Sequence, residues 1–131
     1  MGQTVEHSLT ILVAEDEPLI GLSVEDALRE AGFGVELVDA GTTAMAALDA
    51  GEGLYVALVT DVRLGSGPSG WDVARHAREA DPSFPIVYVS GDSAHEHGVL
   101  GVPDSIMVQK PFAPVQIVTA VTTLLNARPA A

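Results

Sequence analysis

Five short runs rich in β-branched and apolar residues, each followed by a longer helical or turn-forming stretch, limit what this 131-residue chain can fold into. The runs are LTILVA (9–14), FGVELV (33–38), YVALVT (55–60), PIVYVS (85–90) and SIMVQ (105–109). Between them lie amphipathic or alanine-rich segments near 18–31, 42–50, 70–80 and 113–126. Leu19, Ile20, Leu22, Val24, Ala27, Leu28 and Ala31 recur at helical spacing and stop at Gly32. Val115, Val118, Val121, Thr122 and Leu125 repeat the pattern behind Pro114. Only the gap 92–103 has weak periodicity. Three inner runs are apolar on both faces, as strands of a helix-covered parallel sheet are. The alternation predicts an α/β fold: a doubly wound, five-stranded parallel sheet with helices on both faces.

Composition narrows the function classes. The length predicts one domain over 1–131, with a core at about 8–126 and short flexible tails, the second at 127–131. No apolar run approaches the ~20 residues that span a bilayer, and the start MGQTVEHSLT lacks the basic-then-apolar order of a signal peptide. Membrane partners are not expected, and the expected location is cytoplasmic. The chain has no cysteine, which excludes disulfides, thiolate metal sites and a cysteine nucleophile. Net charge is −12, the wrong sign for a protein that neutralises phosphates along a duplex, so nucleic acid is not an expected partner.

Parallel strands open their carboxyl ends on one edge, and ligands bind there, where the strand order reverses. For five strands the expected order is the flavodoxin-like 2-1-3-4-5, which puts that crevice between strands one and three. The residues reaching the edge are Glu15, Asp16 and Glu17, then Asp61 at the end of LYVALVTD, then Ser90 and Lys110. Each alone is what a strand end leaves in water; together they converge. Two carboxylates ~4 Å apart repel by about 4 kcal/mol at an effective dielectric of about 20. A trio needs a proton or a cation, and an all-oxygen donor set favours a hard ion, Mg²⁺ above Zn²⁺. Such an ion and a lysine would also let an aspartate attack a phosphoryl group despite its like charge.

LVAEDEP (12–18), LVTDVRL (58–64), VYVSGD (87–92) and QKPF (109–112) together resemble the receiver domain of bacterial two-component response regulators, here in stand-alone, chemotaxis-regulator-like form. The resemblance covers about 8–126. It implies that Asp61 is the phosphoacceptor, taking its group from a phosphohistidine on a sensor histidine kinase or histidine phosphotransfer protein. It implies that Glu15, Asp16, Asp61 and the main-chain carbonyl of Arg63 hold Mg²⁺, with Mn²⁺ as a substitute. Ser90 and Lys110 would bind the phosphoryl group, and Lys110–Pro111 would be cis. The product would act as a switch on a downstream protein, not as an enzyme.

Three departures from the family stand out. Met107 occupies the place, three before the lysine, where the family carries Tyr or Phe. The loop VRLGSGPSGW is one residue longer than the common form, and the fourth helix region is glycine-rich with His95 and His97. In the family that the chain resembles, the positions of Arg63 and Asp92 flank the route of hydrolytic water, so their pairing would tune dephosphorylation and lengthen the life of the aspartyl phosphate. Trp71 is expected to pack beside the loop and His76 to be solvated. The outer face of the last helix, with Met107 and Val108, is the expected partner surface.

Other functions stay open at this point. One is a receiver-like interaction module not regulated by phosphorylation. A second is a nucleotide-binding domain, since Gly65 to Gly70 spell G-x-G-x-x-G, although Pro68 and the neighbouring Asp61 suit a pyrophosphate poorly. A third is a phosphohydrolase with an aspartate nucleophile, which commonly carries an acid two residues on, where this chain has Arg63.

Overall fold

The computed structural model describes residues 9–51 and 53–128; the N-terminal start and 129–131, on which part of the tail expectations falls, lie outside them. The elements run β1 (Thr10–Ala14), α1 (Pro18–Glu30), β2 (Gly34–Val38), α2 (Gly41–Ala50), β3 (Tyr55–Asp61), α3 (Gly70–Ala80) and β4 (Ile86–Ser90). A 3-10 turn (Ala94–Glu96) then leads into α4 (His97–Leu100), β5 (Ile106–Gln109) and α5 (Pro114–Ala127). All strands pair in parallel in the order β2-β1-β3-β4-β5. The expected fold class and strand order are therefore observed. The weak periodicity after residue 92 corresponds to an α4 of four residues.

Alternation along each strand sorts the core into two layers. Leu12, Leu58, Ile86 and Tyr88 pack with Ala44 of α2 and Trp71, Val73 and Ala74 of α3. Ile11, Val13, Val59, Val87 and Val89 pack on the other face with Val24 and Leu28 of α1 and Ile117, Ala120 and Val121 of α5. The three inner strands, β1, β3 and β4, are covered on both sides, which is why they read as unbroken apolar runs.

Helical faces proved harder to read than helices. Leu19 and Leu22 of α1 are exposed, at 82% and 51%, although their spacing suggested core. In α5 the buried stripe is Ile117, Ala120 and Val121, and Val115 is 63% exposed. Of the residues the spacing singled out, Val121 is in that stripe and Val118 and Leu125 pack against it, while Val115 and Thr122 face outward. The expected frayed tail is corrected at its start: Ala127 is helical, and Arg128 pairs with Asp81 and donates to the Ser83 carbonyl at 3.3 Å. His76 is not simply solvated either, since its Nε2 lies 2.7 Å from Asp49 Oδ1 and bridges α3 to α2. Trp71 packs as expected, its ring centroid 4.7 Å from that of Tyr88.

The turn from β3 into α3 fixes the acceptor strand's end. Ser69 caps α3 by accepting from the Asp72 N–H at 3.2 Å, and the Asp72 carboxylate accepts from the Ser69 N–H at 2.9 Å. Gly70 then donates to the Val62 carbonyl at 2.8 Å. A Cβ on Gly70 would stand 2.1 Å from the Asp61 carbonyl oxygen, so only glycine lets the helix start so close to the strand. Gly70→Ala should lower stability by roughly 1–3 kcal/mol, because the obstructing atom is backbone and cannot turn aside. Urea denaturation checks this as a lower midpoint at unchanged slope.

Candidate functional site

The carboxyl edge of the sheet brings together side chains that the sequence holds far apart. Glu15 follows β1 and continues its ladder, its N–H donating to the Val38 carbonyl at 2.9 Å. Its carboxylate is buried and accepts the Glu17 N–H at 3.2 Å. Asp16 beside it is exposed. Asp61, the last residue of β3, is 6% exposed. Glu15, Asp16 and Asp61 each offer an oxygen, and the three oxygens lie within 4.8 Å of one another. Only oxygen donors meet there, which suits a hard divalent cation.

Lys110 closes the cluster from β5. Its Nζ donates to Asp61 Oδ2 at 2.8 Å and to Glu17 Oε1 at 2.6 Å, and lies 3.5 Å from Glu15 Oε1. The Lys110–Pro111 bond is cis. Burial pulls the ammonium down, but the hydrogen bonds to Asp61 and Glu17 outweigh it and hold the group above the ordinary lysine range. Glu15 moves the other way. Burial, then the nearby charge and hydrogen bond of Asp61, raise its carboxyl to about 8, and Lys110 offsets only part of this.

The remaining expected residues line the same cleft, an open space of about 440 Å³. Ser90 is buried at the end of β4, and its Oγ accepts the Ser93 N–H at 2.7 Å and the Asp92 N–H at 3.2 Å. The Arg63 N–H donates to Asp61 Oδ1 at 3.1 Å, while its guanidinium pairs with Asp92 Oδ1 at 2.9 Å. Arg63, then Ser93, hold the Asp92 carboxyl below its usual range. Both side chains of the pair are well exposed, so it contributes little to stability. Met107 lies apart from the cleft. It is half-buried, paired in register with Tyr88 and packed on the layer containing Trp71.

Two participants escaped the sequence reading. Ser93 donates to Asp92 Oδ1 at 3.0 Å and anchors Ser90 through its N–H. Glu17 was visible at the strand end but was given no task, because its partner lies 93 residues along the chain. The G-x-G-x-x-G glycines have structural work: Gly65 and Gly67 adopt φ of 76° and 92°.

A family model described as the response regulator receiver domain matches residues 11–122. The chain belongs to that family. The receiver is similar to a response regulator receiver protein from Sinorhizobium medicae WSM419, at 48% identity and a TM-score of 0.90, covering 93% of this chain and 98% of that one. It is 33% identical over 121 residues to the transcriptional regulatory protein CusR of Escherichia coli (strain K12), covering 90% of this chain and 52% of CusR. The receiver thus spans about half the length of the curated relatives it matches. A likeness of fold, at 23% identity and a TM-score of 0.76, extends to the receiver domain of sensor histidine kinase PA1611 from Pseudomonas aeruginosa PAO1. It covers 92% of this chain and 99% of that one, whose structure has a magnesium ion coordinated in the active site cleft. Among the described residues no helix is long and apolar enough to cross a membrane.

The raised Glu15 carboxyl gives the receiver a pH signature. Its folded value of about 8 exceeds the ordinary 4.5, so the cation-free fold loses stability as pH rises from about 4.5 to about 8. A divalent cation needs the ionised form and must displace that proton. Affinity for Mg²⁺ should therefore climb from pH 6 to 8 and level off above, with proton release near neutrality. Calorimetric titration in two buffers of different ionisation enthalpy measures that release.

Proposed function

We propose that this receiver domain accepts a phosphoryl group on Asp61 from a phosphohistidine and relays the event to another protein by direct contact. The observation that carries the reading is the Lys110 ammonium 2.8 Å from Asp61 Oδ2 beside three convergent carboxylates. An Asp61 oxygen attacks phosphorus and forms the new P–O bond as the P–N bond of the donor breaks. The electron pair leaves on the imidazole nitrogen, which takes a proton from solvent. Lys110 offsets negative charge on Asp61 and on the arriving group. Ser90 Oγ accepts two main-chain N–H groups, and its own hydrogen has no acceptor among the described residues, so it is available to a phosphoryl oxygen.

Glu15, Asp16, Asp61 and the Arg63 carbonyl would hold a Mg²⁺ ion, with Mn²⁺ as a substitute, which would supply positive charge to an anionic cleft that must receive an anionic donor. The donor is a sensor histidine kinase or a histidine phosphotransfer protein. The signal leaves through Met107 and the outer side of α5, without Val108, which the sequence placed on that surface but which is buried in the core under α5; the setting is the cytoplasm. Hydrolytic rivals fit less well. Arg63, two residues beyond Asp61, is engaged with Asp92 and offers no proton to a leaving group.

Incubation with acetyl phosphate and Mg²⁺ should add the mass of one phosphoryl group to the wild type and none to Asp61→Asn. Steady release of inorganic phosphate would point to a hydrolase instead. The Arg63–Asp92 pair stands over the same cleft and restricts the approach of water. Arg63→Asn should therefore shorten the lifetime of the phosphorylated form severalfold. Equal or slower decay in the variant contradicts that role.

A further inference from the structure

Lys110 is the sole lysine of the chain, and its ammonium has three hydrogens to give. Asp61 takes one at 2.8 Å, Glu17 takes one at 2.6 Å, and Glu15 stands at ion-pair distance, 3.5 Å. The ammonium is therefore surrounded by carboxylates before any phosphoryl group arrives. Two of the three hydrogens are taken and Glu15 crowds the third, so a phosphoryl oxygen must compete with these acids for the ammonium. Asp61 is the group being esterified. Glu15 is deeply buried, its side chain 4% exposed, and is held by the Glu17 N–H. Glu17 is different: its side chain is 57% exposed and water can take it up.

Local structure leaves Glu17 no competing task. It is the N-cap residue of α1, with extended backbone, yet its side chain makes no cap hydrogen bond, and the next residue, Pro18, has no N–H. Its shortest contact is the bond to Lys110. We propose that Glu17 is a positioning residue that occupies the phosphoryl group's place on Lys110 in the unphosphorylated protein and yields it when Asp61 is loaded. The inference rests on the reading of Asp61 as phosphoacceptor.

A single lysine makes the test direct, because protein labelled with ¹⁵N-lysine gives one side-chain ammonium resonance. Before loading, Glu17→Gln should shift that resonance and speed its exchange with water. After loading with acetyl phosphate and Mg²⁺, wild-type and Glu17→Gln resonances should converge, since in both the lysine then faces a phosphoryl oxygen. Intact-mass kinetics should show Glu17→Gln loading about two- to fivefold faster, the size of effect an exposed ion pair supports. Identical resonances before loading, a difference that persists after it, or an unchanged or slower loading rate each overturns the proposal. A wild type that never gains a phosphoryl group overturns the phosphoacceptor reading and this inference with it. The unloaded comparison still reports separately whether Glu17 holds the lysine.

Discussion

One ammonium among four carboxylates is the interaction on which this receiver domain turns. Glu15, Asp16, Glu17 and Asp61 crowd the carboxyl edge of the sheet, and Lys110 is the cation that reaches three of them. At short range such charges repel by several kcal/mol unless something positive stands between them. The fold supplies one such charge and leaves the cluster short of more. Burial, and after it the charge of Asp61, raise the Glu15 carboxyl, and the deficit leaves a demand for a hard cation. The same arrangement that costs stability in the empty site makes it receptive to an ion and an anion together.

The sheet creates this crowding, and so much of it could be read from the chain. Alternating apolar runs and helical segments sufficed for the parallel order, and parallel order sends Ala14, Asp61, Ser90 and Gln109 to one edge. Asp16, Asp61, Ser90 and Lys110 each follow or end a strand, so their meeting is a consequence of topology. Glu17 was harder. Nothing local distinguishes it from any exposed acid before a helix, and its partner becomes visible only once β1 and β5 are placed around β3. The stripes of α1 and α5 were legible in Ile20, Val24, Leu28, Val118, Val121 and Leu125, but their edges were not. Leu19, Leu22 and Val115 are apolar residues on outward faces, and spacing cannot say which of two apolar faces meets the sheet.

Arg63 and Asp92 lie between these cases. Their spacing from Asp61 and Ser90 suggested opposite charges across the cleft, and the structure joins them at 2.9 Å. Met107 shows what a residue-by-residue reading leaves out. Its register partner on β4 is Tyr88, a fully buried aromatic side chain.

Tyr88 and Ser90 are two apart on β4 and project from the same side of it. The Tyr88 hydroxyl accepts the Val102 N–H at 3.0 Å, and its ring meets His97 edge-on with centroids 5.6 Å apart. A single residue of strand, Val89, therefore separates the cleft hydroxyl from the anchor of the segment carrying α4. A strand paired on both sides thus carries the cleft hydroxyl at its end and the packed phenol ring on the same face. Against that ring stands the start of a one-turn helix that presents Val99 to solvent.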